Sequence, residues 1–306
     1  MIYDDANQHA LPFSLSGEGE RAMTPAAFLA RHLTAGVVLV TIARAQGSTP
    51  REAGATMAVS ATATAGTIGG GQLEFHCIDI VRVMLLTGET ARELDIPLGP
   101  QMGQCCGGRV AVSLHRATAT DLAMLLAREK AEAAAKPAVL IFGAGHTGRA
   151  LAQALAPLPF ATSLIDDRDG VMDALPAAIT CIRMADPVAA VDTAPAAAAF
   201  VILSHSHSLD YRLTEAALQR GDAAYVGMIG SGTKRARFEA GFLRSGGRRE
   251  ALSLLTCPIG GADVDDKRPE VIAALTAAEL VRSLLGPKAP ASSAATAHGT
   301  GETSRQ

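Results

Sequence analysis

The sequence predicts an α/β protein in which a small N-terminal α+β domain precedes a doubly wound parallel-sheet domain. Three observations carry this expectation. The second half alternates short apolar runs with helical patterns, the mark of βαβ units. The first half instead groups its strands around one long amphipathic helix. Between them the helical pattern AREKAEAAAK stops at Lys136-Pro137, where proline disfavours helix in the residue before it. The domains are therefore drawn at 21–135 and 136–286. The polar end 1–20 and the small-residue, biased end 287–306 are read as disordered.

Taken in order, Thr24-Pro25 reads as an N-cap with proline at the first helical position, ahead of the short helix AAFLARHL. GVVLVTIARA and ATMAVS read as strands separated by a Gly-Ser-Thr-Pro loop. TIGGG leads into the helix QLEFHCIDIVRVMLL, where Leu73, Cys77, Val81 and Met84 fall on one stripe, so Cys77 is expected in the core. The strands ARELDIPL and RVAVSLH enclose GPQMGQCCGGRV, which puts Cys105 and Cys106 on a glycine-rich loop. In the second half AVLIF, ATSLI, ITCI, AFVILS, AAYVGMI and ALSLL read as strands. HTGRALAQAL, YRLTEAALQ, GTKRARFEAGFL and RPEVIAALTAAELVRSLL read as helices. Cys181, inside ITCI, reads as a packed strand residue.

Composition narrows the function. The 306 residues are 48% hydrophobic and 19% charged, and a formal net charge of -3 offers no basic footprint for nucleic acid. MIYDDANQHALPFSLSGEGE lacks the positive and apolar regions of a signal peptide, and no apolar run reaches the roughly eighteen residues a membrane span needs. A cytoplasmic protein without membrane contact is expected. There the five cysteines should be thiols, and they make no paired zinc spacing.

One turn carries the sharper signal. VLIFGAGHTGRALAQAL sets Gly143-x-Gly145-His146-x-Gly148 after a strand and at the start of a helix. Glycines so placed make a tight turn, let backbone approach a phosphate and pack helix on strand, which makes the second domain Rossmann-like. About twenty residues on, Asp166 ends the next strand, where an acid grips a ribose hydroxyl. Ligands of such sheets bind outside the carboxyl ends of the strands. That edge should also receive Ser204, His205, Ser206 and His207 from one loop, Gly230, Ser231, Thr233 and Lys234 from a second, and Cys257 from a third. Hydroxyls, a lysine and a helix N-terminus suit a phosphate-bearing ligand. His205 and His207 equally read as the polar end of a strand, and the sequence supplies no third zinc ligand beside them. Lys234, Arg235 and Arg237 equally read as a solvated helix face.

Adjacent cysteines do not readily bridge each other, because neighbouring Cα atoms are only about 3.8 Å apart. Glycines around Cys105 and Cys106 instead leave the sulfurs accessible to a large ligand, a metal or another sulfur. An inert turn is the plain alternative. The segments QCCGG (Gln104–Gly108), GTIGGGQLE (Gly66–Glu74), GAGHTG, SHSHSLD, MIGSGTKRARF, CPIG and PEVIAALTAAEL, in this order, resemble the XdhC/CoxI family over roughly Ala26 to Leu285. The resemblance implies a maturation factor for molybdenum hydroxylases that carries the molybdenum cofactor (Mo-molybdopterin) as cargo. It further implies that a cysteine desulfurase supplies the terminal sulfido ligand, and that the molybdenum-binding subunit of xanthine dehydrogenase receives the cofactor. A homo-oligomer is a further partner this reading admits. The resemblance also maps the family's thiol onto Cys106, which would face the molybdenum end as a metal ligand, a persulfide relay or part of the pocket lining. Cys105 has no counterpart in many relatives. Gly232 stands where many relatives have arginine, which removes an anion contact or shifts it to Lys234.

Two rival readings use the same residues. An NAD(P)-dependent oxidoreductase would use the glycine turn and Asp166, with Arg168 favouring a 2′-phosphate, yet the first domain offers no evident acid-base pair. A nucleotidyltransferase acting on molybdopterin would need an acidic magnesium site, for which Asp166-Asp167 is the one candidate.

Overall fold

The computed structural model describes residues 23–99, 107–261 and 263–287. The expected disordered ends, 1–20 and 287–306, lie outside the described residues apart from Pro287. The chain divides into two compact units, Met1–Ala134 and Ala135–Gln306.

In unit 1, β1 (Val38–Gln46), β2 (Thr56–Val59), β3 (Thr64–Gly66), β4 (Ala91–Pro97) and β5 (Arg109–Arg116) form an antiparallel sheet in the order β3-β2-β1-β5-β4. Three helices accompany it: α1 (Pro25–His32), α2 (Gly71–Thr87) and α3 (Ala119–Ala135). Side chains alternate across β1. Val38, Val40 and Ile42 join a core with the α2 stripe, while Leu39 joins Phe28 and Leu29 of α1 in a second cluster. The α2 stripe is the expected one, since Leu73, Cys77, Val81 and Met84 are all fully buried. Each such side chain contributes about 1.5–3 kcal/mol through removal from water. Thr24 caps α1 by accepting from the Ala27 N–H at 3.2 Å, and Glu129 of α3 accepts from the Ala26 N–H and from the Thr24 hydroxyl. β3 went unread in the sequence, because three residues are too few to show alternation.

In unit 2, β6 (Ala138–Phe142), β7 (Ala161–Asp166), β8 (Thr180–Arg183), β9 (Ala199–Ile202), β10 (Tyr225–Met228) and β11 (Leu255–Thr256) form a parallel sheet in the order β11-β10-β9-β6-β7-β8. Its helices are α4 (His146–Leu155), α5 (Val188–Thr193), α6 (His207–Arg220), α7 (Gly232–Arg244) and α8 (Pro269–Leu285). Counted from β6, this is the doubly wound 3-2-1-4-5-6 arrangement. Alternate residues of the central strands feed two cores: Phe142, Phe200 and Ile202 pack under α6 and α7, while Val139, Ile141 and Val201 pack under α4 and α8.

Four readings need correction. ALSLL is mostly a 3-10 helix, Arg249–Leu254, with only Leu255–Thr256 as strand, because its pairing with β10 spans two residues. The six-residue α5 was too short to show a helical period. His207 is not in extended chain but is the first residue of α6. Cys181 is exposed rather than packed, because β8 is an edge strand that alternates poorly. Among the described residues no helix is long and apolar enough to cross a membrane.

Candidate functional site

The strand order reverses between β6 and β9, and the two loops leaving those strands touch there. A Cβ on Gly143, which has φ +116°, would stand 2.3 Å from the Leu203 carbonyl oxygen. One on Gly148 would stand 1.9 Å from the Gly143 carbonyl oxygen. These two glycines are demanded by close approach within the fold. Gly145 differs: nothing lies within 4 Å of its Cβ position, and its φ of -71° is open to any residue. It is the N-cap of α4 and has no side chain over the first N–H groups, with His146 exposed at the first helical position. Free space over a helix N-terminus fits a phosphate oxygen.

The acid beside this turn is already occupied. Asp166 is buried, and its carboxylate accepts from the Ala144 N–H at 2.6 Å, from the Arg168 N–H at 2.9 Å, and from Nε and Nη2 of Arg168, each at 2.9 Å. Burial raises its pKa, but the bonds from Arg168 and Ala144 outweigh that and hold the group well below the usual carboxylate range. A ribose hydroxyl would have to displace Arg168 to reach it. Asp167 and His205 lie on the same rim, their Oδ1 and Nδ1 atoms 3.7 Å apart. Asp166, Asp167 and His205 place one donor atom each within 4.8 Å of one another. The Arg168 guanidinium supplies the positive charge of this group.

Further along the edge, Asp210 in the first turn of α6 ties together the two loops that leave β9 and β10. It is 1% exposed, and its Oδ1 accepts from the Ser204 N–H at 2.9 Å and the Ser204 hydroxyl at 2.7 Å. Its Oδ2 accepts from Nζ of Lys234, which also donates to the Ile229 carbonyl at 2.9 Å. Lys234 is thus turned into the protein as a clamp, not onto a solvated helix face. Ser231 caps α7 by accepting from the Lys234 N–H at 3.4 Å, and Thr233 is exposed in the first turn. Gly232 has open space at its Cβ position. Asp210 was missed as a site residue although it closes the quoted SHSHSLD segment. Its signal is an acid within the first turn of a helix on the ligand edge; its pairing with Lys234 of the next loop leaves no trace in local sequence.

The thiols sort by surroundings. Cys105 and Cys106 lie outside the described residues. The base of their loop is closed by the Leu98 N–H donating to the Gly108 carbonyl at 2.8 Å, and a Cβ on Gly108 would stand 2.2 Å from the Ser48 carbonyl oxygen. Burial, with a smaller contribution from Glu74, pushes the Cys77 thiol up to about 12, so it stays protonated and inert. Cys257 is also buried; desolvation raises its pKa despite the opposing fields of Lys234 and Arg235.

Residues 139–280 match the model of the XdhC Rossmann domain, and residues 31–95 match that of the XdhC and CoxI family. No curated protein matches the chain. A crystal structure described as a xanthine dehydrogenase from Bacillus halodurans superposes with a TM-score of 0.71 at 18% identity, over 89% of this chain and 98% of that one, which shows a shared fold.

Proposed function

The chain belongs to the XdhC/CoxI family, and from that membership we propose that it is a maturation factor for a xanthine dehydrogenase. In this reading it binds the molybdenum cofactor as cargo, holds it while a cysteine desulfurase provides the terminal sulfido ligand, and delivers it to the molybdenum-binding subunit. The observation that carries the binding step is the bare N-terminus of α4, where Gly145 leaves room for the phosphate that molybdopterin bears. Soft thiolate from Cys106 suits the sulfur-ligated molybdenum end. His205, Ser231 and Thr233 border the same strand edge and offer hydrogen bonds to the ligand's polar atoms, while Ser204 is held by Asp210 and Ser206 and shapes the loop.

Against an NAD(P)-dependent oxidoreductase stands the state of Asp166, whose acceptors are filled by Ala144 and Arg168. The same bonds weigh against a magnesium-dependent nucleotidyltransferase, because a cation at Asp166-Asp167 would meet the guanidinium of Arg168. Anaerobic purification followed by molybdenum and pterin analysis tests the proposal. Wild-type protein should carry both; Cys106→Ala should lose cofactor or its sulfuration, and Cys77→Ala should not. Equal loading and equal activation of apo-dehydrogenase by the two variants would remove the thiol loop from the mechanism.

A further inference from the structure

Helix α2 (Gly71–Thr87) is rich in apolar side chains on two opposite faces, and the fold of unit 1 covers one of them. Leu73, Cys77, Val81 and Met84 form the covered stripe. Half a turn round the helix, at i, i+4, i+7 and i+11, stand Phe75, Asp79, Arg82 and Leu86. Phe75 is 57% exposed and Leu86 88%, with Val83 at 49% on the flank of the same stripe. One exposed apolar side chain is ordinary, but a helix that is apolar all round is normally buried all round. The outer face of α2 therefore calls for a cover.

Its pattern is complementary to itself. Phe75 and Leu86 are equidistant from the point between Ile80 and Val81, and so are Asp79 and Arg82. Laying a second α2 antiparallel on the first, with a two-fold axis at that point, brings each Phe75 level with the copy's Leu86 and each Asp79 level with the copy's Arg82. Within one chain Arg82 and Asp79 already pair at 3.6 Å, so the copy adds a second acid beside each arginine. A parallel pairing in register would set acid on acid and guanidinium on guanidinium; charge thus selects the antiparallel one. A groove of about 580 Å³ between the β2–β3 turn and α2 runs beside Phe75 and Asp79, at the level where the copy brings its Leu86 and Arg82. We infer that this face of α2 is the interface of a two-fold symmetric dimer of this chain, with α2 packed antiparallel on α2. The dimer needs no ligand and stands apart from the cofactor-carrier function proposed above. One helix face is smaller than the roughly 800 Å² per partner of a standard interface, which makes the association reversible at about micromolar concentrations.

Sedimentation equilibrium of the full chain from about 1 to about 200 µM tests the interface. Wild type should pass from monomer to dimer across that range. Leu86→Arg should raise the dissociation constant about tenfold or more, because it replaces the apolar contact with Phe75 by a cation. Asp79→Arg alone and Arg82→Asp alone should each weaken association, since like charges then come level across the axis. Both exchanges together, Asp79→Arg with Arg82→Asp, should restore it. Leu86 and Asp79 are exposed and Arg82 is half-buried, and circular dichroism checks that the variants stay folded. Wild type that stays monomeric throughout would overturn the dimer and leave the face to another occupant. A dimer that Leu86→Arg leaves unchanged would place the contact elsewhere and overturn this surface. A double exchange that fails to recover what the single reversals lose would overturn the antiparallel register.

Discussion

Glycines 143, 145 and 148 form one motif in sequence but do two different things: the first and last admit close backbone approach, and Gly145 leaves a helix end open. A side chain at Gly148 meets backbone at 1.9 Å, so Gly148→Val should destabilise the protein by about 3 kcal/mol, read from urea unfolding. Gly145→Val has space and should fold with a native spectrum, yet lose the phosphate-bearing ligand, because the valine fills the approach to the α4 N-terminus. Unchanged cofactor retention in Gly145→Val would place the ligand elsewhere. The motif and its context were readable because the fold dictates where these glycines must fall. The occupancy of Asp166 was not readable, since an acid after β7 looks the same in sequence whether it faces a ribose or Arg168. Among the cysteines, helical spacing disclosed Cys77, whereas exposure of Cys181 depends on its strand being an edge. Iodoacetamide on native protein should therefore label Cys181 and spare Cys77 until the chain unfolds. Early labelling of Cys77 would contradict its burial.

Between elements, the Asp210–Lys234 clamp joins the start of α6 to the start of α7. Lys234→Met strands a carboxylate that is 1% exposed, and should cost about 3–5 kcal/mol; adding Asp210→Leu should recover much of it. Two variants with equal small losses would mean that the pair is solvated. Gly232 sits two residues earlier in open space within α7, so Gly232→Ala should raise stability by about 0.5–1 kcal/mol, measured as a higher denaturant midpoint. The elements visible in the sequence were those long enough to show a period: α2, α4, α8 and the apolar strands β1, β6 and β9. β3, α5 and the 3-10 helix before β11 span three to six residues and owe their form to neighbours.

For the whole molecule, acid stability follows from two of the buried carboxylates, Asp121 in the first unit and Asp166 in the second, which are held below their usual range. Burial of Asp121 raises its pKa, but bonds from Thr118 and His115 overcome this and depress it; Asp166 is depressed more strongly by Arg168 and Ala144. Stability from a depressed carboxylate is fully present above its unfolded value near 3.9 and is lost as pH falls through the lower folded value. Urea midpoints should stay flat from about pH 7 to pH 5 and drop below about pH 4, less steeply in Asp121→Asn. The two-part architecture was legible because βαβ alternation in one half and strand grouping in the other are periodic over many residues. The proposed carrier function predicts transfer of the cofactor, tested by titrating apo-xanthine dehydrogenase with protein loaded anaerobically with molybdenum cofactor. Activation should rise linearly and stop at about one equivalent, with no tight binding of NAD(P)H. Micromolar nicotinamide binding with many turnovers on a carbonyl or alcohol substrate, and no transfer of cofactor, would contradict it.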